Sequence, residues 1–139
     1  MDFRELLKQY SIVIVRDDEI VFKSMDSGIA PLLEAVESIG IKSLHDTCVA
    51  DRVIGKAAAL LVALFKPRYV FSIIMSKSAI NVLEENNIEF DYDNLVDFIL
   101  NRERNDLCPF EKSVLRINDP WEGYRVIKDT LGKLKNSYK

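Results

Sequence analysis

Apolar positions change period several times along the chain, and each change marks an element. Phe3, Leu6 and Leu7 fall on one helical face, with Asp2 placed to cap it and Glu5 three positions later. The β-branched runs 11–15 and 20–23, separated by Arg16-Asp17-Asp18-Glu19, predict an antiparallel hairpin. Helical spacing returns through Leu32, Leu33, Val36 and Ile39. That helix is opened by Asp26-Ser27-Gly28 and closed by Gly40, where a left-handed backbone costs glycine nothing. A polar stretch over 43–50 follows, carrying the single histidine, His45, and Cys48.

The run 53–65 is apolar almost all round, as in a helix buried on more than one side. Asp51 is placed to cap it, and Gly55 and Ala59, one turn apart, would let its backbone approach a neighbour. Pro67 ends it. Residues 69–75 lack alternation and are rich in β-branched and aromatic side chains, the pattern of a strand covered on both faces. Ser76 then caps a helix through Ala79, Ile80, Val82 and Leu83, and 88–92 reads as another strand. Strand, helix and strand in so short a span predict a βαβ unit with parallel strands.

Asp93 is expected to cap a further helix through Leu95, Val96, Phe98 and Ile99, and Pro109 suits the first position of a short one. Asp119-Pro120-Trp121-Glu122 starts the last helix, about 119–136, with Tyr124, Ile127, Leu131 and Leu134 on one face. Lys133, Lys135 and Lys139 are read as complementing its C-terminal end. The whole, 1–139, is expected to be one α/β domain: a small mixed sheet, an N-terminal hairpin plus parallel βαβ strands, sandwiched by helices.

Composition narrows the function classes. The chain has 139 residues, 48% of them apolar, enough to exclude disorder and to bury about two-thirds of the unfolded surface. No run of ~18 uncharged apolar residues offers a membrane span. Nineteen Lys+Arg against 22 Asp+Glu give a net charge of −3, which argues against a dedicated DNA or RNA binder. The N-terminus has no basic segment followed by an apolar one, so a cytoplasmic location is expected, with Cys48 and Cys108 as free thiols.

The order of elements is similar to the cytidine deaminase superfamily fold. The stretch Asp51-Arg52-Val53-Ile54-Gly55-Lys56, with Asn101-Arg102 and Cys108-Pro109-Phe110-Glu111-Lys112, resembles an uncharacterised prokaryotic family on that fold, a domain of unknown function. The likeness runs from about Leu6 to Leu131. It implies a three-layer deaminase-like fold, a pocket at the start of the buried helix, and self-association. It does not imply deaminase chemistry. Those enzymes hold zinc through His or Cys and a Pro-Cys-x-x-Cys motif, with a Glu two residues after the first ligand. Here the corresponding places read Asp51, Gly55 and Lys56, and Ser76-Lys77-Ser78-Ala79. No metal or other cofactor is expected. The alternative zinc set is His45, Cys48 and Cys108, the ligand count of a catalytic site but without a Glu at the right offset.

Lys56 is the sharpest anomaly. Placed by the pattern in the second turn of an apolar helix, its ammonium is opposed by the macrodipole, and burying it unpaired would cost several kcal/mol. It calls for an anion: a ligand phosphate or carboxylate at the helix N-terminus, or the chain's own Asp51 or Glu111. Ser76, Lys77 and Ser78 form a second helix N-terminus at a strand's carboxyl end, where ligands collect in open α/β sheets. Asn101 and Arg102 are expected on the same rim, Arg102 able to grip a phosphate bidentately. Cys108 is the best nucleophile, at a helix start where the dipole favours a thiolate. These residues point first to a binder of a nucleotide-like or other phosphorylated small molecule at Lys56 and Gly55. The alternatives are a metal-free enzyme using Cys108, or Asp51 and Glu111 as acid and base, and a regulatory subunit or homo-oligomer joined through the helix of Trp121.

Overall fold

The computed structural model describes residues 1–137. Helix α1 (Phe3–Gln9) is capped by the Asp2 carboxylate, which accepts from the Glu5 N–H. Strands β1 (Ile12–Arg16) and β2 (Glu19–Ser24) form the expected hairpin, turned at Asp17 and Asp18, both with positive φ. Helix α2 (Ala30–Ser38) starts later than its sequence suggested, with Pro31 in its first turn and no side-chain cap. Gly28 instead turns the chain ahead of it at φ +87°. A four-residue helix, α3 (Ile41–Leu44), follows.

The first correction falls next. Residues expected as a polar stretch and a helix cap form strand β3 (Cys48–Ile54), which lies at the centre of the sheet. Asp51 therefore caps nothing: it sits in the strand, and α4 (Lys56–Phe65) begins only after Gly55. Lys56 is the first residue of that helix, not a member of its second turn. The chain continues through β4 (Tyr69–Ser76) into α5 (Lys77–Glu85), capped by Ser76 as expected, since its hydroxyl accepts from the Ala79 N–H at 3.2 Å.

Strand β5 (Glu89–Val96) brings the second correction. The helix expected from Asp93 does not form, because β5 continues in parallel register with β4 to the pairs Asn94 with Ile74 and Ser76 with Val96. Asp93 meets Arg4 of α1 instead, with the Arg4 Nε 2.9 Å from its Oδ2. A loop leads to α6 (Pro109–Ser113) and then α7 (Pro120–Ser137), whose first turn is capped by Asp119. Lys133 of α7 lies 3.0 Å from Asp129; Lys139 is outside the described residues.

The sheet order is β2-β1-β3-β4-β5, antiparallel through β1 and parallel from β3 to β5. Helix α4 is the hub of one layer. Its residues Ala59, Leu60, Leu61 and Val62 are fully buried, and Gly123 of α7 lies so near Leu60 that a Cβ there would come within 2.9 Å of Leu60 Cδ1. On the other face α1 covers a smaller cluster, Leu7 with Ala50 and Phe71. Among the described residues no helix is long and apolar enough to cross a membrane.

Candidate functional site

The parallel strand β3 delivers its carboxyl end, through Gly55, to the N-terminus of α4. Such a helix start leaves backbone N–H groups without intrahelical partners. Here the chain supplies the acceptor itself. Glu111 of α6 is buried, at 8% exposure, with Oε1 accepting from the Lys56 N–H and Oε2 from the Ala57 N–H, both at 2.8 Å. The α4 N-terminus is thus capped by a carboxylate from a distant helix. Burial raises the pKa of the Glu111 carboxyl above its ordinary value, opposed by the Ala57 and Lys56 N–H groups.

Gly55 is what permits this docking. Its φ of −100° suits any residue, so the requirement is space. A Cβ there would lie 2.6 Å from Glu111 Cδ and 2.8 Å from Ile99 Cγ1, and closer still to Glu111 Oε1. Gly55→Ala is therefore expected to displace the carboxylate and lower stability by about 1–3 kcal/mol, read from urea unfolding midpoints.

Beside this junction is a cavity of about 260 Å³. Its walls are Ser11 and Ile12 of the hairpin, Ser27 to Ile29 ahead of α2, the end of β3 from Asp51 to Gly55, Ala57 and Ala58 of α4, and Ile99, Cys108, Phe110 and Glu111. Most of this surface is apolar. The polar side chains are largely engaged elsewhere: the Ser11 hydroxyl donates toward the Ser24 and Asp26 carbonyls, and Arg52 turns to α1, its Nε 2.7 Å from the Leu7 carbonyl oxygen. Asp51 is the exception. Half-buried in the wall, its carboxylate accepts from the Val53 N–H at 3.3 Å, and burial pushes its pKa up to about 7 against the pull of the Val53 and Arg52 backbone N–H groups. A group with that acidity can hold or release a proton near neutrality.

Four of the residues singled out in the sequence meet here: Asp51, Gly55, Cys108 and Glu111. The others lie elsewhere. Lys56 points away from the cavity, and its Nζ donates to the Leu115 carbonyl oxygen at 3.0 Å; burial lowers its pKa, partly offset by Glu111 and Glu85. The ammonium is met by a neutral backbone carbonyl just past α6, not by the anion expected from the sequence. Ser76 caps α5 and lies 3.1 Å from the Ser78 hydroxyl, while Lys77 pairs with Asp97 at 2.8 Å. Asn101 braces its own loop through Asn105, and Arg102 is exposed. Neither lines the cavity.

His45 and Cys48 sit at the opposite end of β3, with the His45 ring 3.0 Å from the Phe65 carbonyl oxygen. Cys48 and Cys108 are both free thiols, and burial raises the pKa of Cys48. Among the described residues no three His, Cys, Asp or Glu side chains gather into a metal-binding set. Trp121 is 55% exposed and packs edge-on against Tyr124. Sequence reasoning missed the walls contributed by Ile12, Ile29, Ala58 and Phe110, whose pattern marks them only as core.

These features define an α/β protein with a mixed five-stranded sheet and an apolar cavity at the carboxyl end of its central strand. The profile of a domain of unknown function, DUF1893 (TM1506), matches residues 4–131, and the chain belongs to that family. It is similar to the crystal structure of a DUF1893 family protein (TM1506) from Thermotoga maritima, with 30% identity and a TM-score of 0.80 over 91% of this chain and 85% of that one. No curated protein matches it.

Proposed function

We propose that the protein is a small-molecule-binding domain on a deaminase-like scaffold without the zinc site, working in the cytoplasm. The observation that carries this reading is the cavity itself. Residues from four separate segments, Ser11, Asp51, Ala58 and Cys108, converge at a parallel strand's carboxyl end, where α/β folds commonly hold ligands. The sheet order and the position of the cavity at the start of the buried helix support the deaminase-like scaffold.

The phosphate part of the sequence expectation finds no support at this place. The free N–H groups of α4 are already taken by Glu111, Lys56 faces elsewhere, and two carboxyl side chains line the cavity. Any ligand here is held by shape and by Asp51, and a phosphate would meet like charge.

Filling the cavity tests the reading. Ala58→Leu adds side-chain volume from the cavity wall on a helix that tolerates leucine. Fragments that perturb the amide resonances of residues 51–58 in the wild type are expected to lose at least about tenfold in affinity for this variant, a cost of roughly 1.4 kcal/mol. Equal affinities for both proteins would place binding outside the cavity. A second reading, catalysis through the Cys108 thiol, is favoured by its sharing a wall with Asp51. It requires that Cys108→Ser retain binding and lose turnover of any substrate found.

A further inference from the structure

We infer that the cavity takes a compact apolar amine, an organic cation whose ammonium meets Asp51 while its hydrocarbon body lies against Ile12, Ile29, Ala58 and Ile99. The inference rests on the cavity being a ligand site and adds the chemical class of its occupant.

The cavity walls differ in what they leave unsatisfied. Ser11 already donates to main-chain carbonyls, Glu111 already accepts from two N–H groups, and the guanidinium of Arg52 is held by α1. Asp51 accepts one long side-chain hydrogen bond, from the Val53 N–H at 3.3 Å, the Arg52 N–H and guanidinium act on it more weakly, and among the described residues it forms no salt bridge. The titratable groups that share the cavity wall with it are Glu111 and Cys108, and the Arg52 guanidinium, turned to α1, acts on it only through its charge. An anion entering this space would meet two carboxyl groups. A plain hydrocarbon would fill the walls but leave the Asp51 carboxylate without a partner for its charge. A ligand with an ammonium on an apolar body satisfies both, by forming a charge-assisted hydrogen bond and burying its carbon surface.

Size bounds the body. A dry cavity of about 150 Å³ accommodates benzene, so the 260 Å³ here suits an amine of roughly ten non-hydrogen atoms. Binding also couples to protonation. An ammonium favours the ionised carboxyl, so affinity rises as pH passes upward through the Asp51 transition.

The test compares 2-phenylethylamine with its neutral counterpart 2-phenylethanol, titrated against the full chain at pH 7.5 and followed by amide resonances around the cavity. The amine is expected to bind about tenfold or more tighter than the alcohol, and Asp51→Asn is expected to erase that preference while leaving alcohol binding in place. Equal affinity of the two probes in the wild type, or an amine preference that survives in Asp51→Asn, overturns the inference and leaves the cavity as a site for neutral ligands. Absence of perturbation around the cavity by either probe, with resonances of Ala58 and Ile99 unmoved, overturns the inference and counts against the small-molecule reading as well.

Discussion

Glu111→Ala is expected to unfold at a clearly lower urea concentration than the wild type, with a loss of about 2–4 kcal/mol. Among the described residues its carboxylate is the one side-chain acceptor for the Lys56 and Ala57 N–H groups at the start of α4. Truncation leaves two donors of a buried helix start unsatisfied and enlarges the neighbouring cavity. Burial raises the Glu111 pKa and so opposes its charge, and part of the hydrogen-bond gain is already offset. Glu111→Gln separates these contributions. Its amide oxygen can accept from one N–H while its NH2 faces the other donor, giving an expected loss of about 1–2 kcal/mol. The same geometry predicts coupling with Gly55. A Cβ at that position clashes chiefly with the Glu111 carboxylate, so Gly55→Ala should cost less in the Glu111→Ala background than in the wild type. A double-mutant cycle by urea unfolding measures this. Equal costs in both backgrounds would remove Glu111 as the reason for glycine at position 55.

That docking also explains why the site was only half legible in the sequence. Local patterns identified elements whose hydrogen bonds close nearby: the β1–β2 hairpin with its aspartate turn, the Ser76 cap of α5, and the Asp119 start of α7. They failed where tertiary partners decide. Strand β3 is interrupted by Asp51 and Arg52, one facing the cavity and the other reaching the α1 carbonyls, so its β pattern was broken by residues serving other elements. The second half of β5 carries a helix-like spacing, yet pairing with Ile74 and Met75 of β4 holds it extended. The pattern marks Lys56 as a cation that calls for an anion, yet its ammonium meets a neutral carbonyl. No spacing rule, however, could foresee that Glu111 would take the backbone N–H groups and the Leu115 carbonyl the ammonium. Asp51, Gly55, Cys108 and Glu111 surround one cavity because α6 folds back across α4, a contact between segments far apart in the chain.

Asp51→Asn is expected to flatten part of the protein's pH dependence and to be the more stable protein at pH 8. In the unfolded chain this carboxyl titrates near 3.8; in the fold, burial moves it to about 7. Below pH 3.8 both states keep the proton, and the full contribution to stability is present. Between the two values the folded protein retains a proton that the unfolded chain releases, so stability falls as pH rises, and the loss is complete above pH 7. A shift of this size corresponds to about 4 kcal/mol at most, with about 2–4 kcal/mol expected. Asparagine keeps an oxygen for the Val53 N–H and cannot ionise, so the variant and the wild type should match near pH 4 and diverge steadily to pH 7. Urea unfolding at pH 4, 5.5, 7 and 8 measures the divergence. The exposed pairs Asp46–Arg68, Asp93–Arg4 and Asp106–Lys112 lower their carboxyl pKa values and act in the opposite direction, but they are common to both proteins and cancel in the difference. Glu111, also raised, leaves a slope of the same sign in both. A constant difference across the range would mean that Asp51 ionises as freely as an aspartate in water.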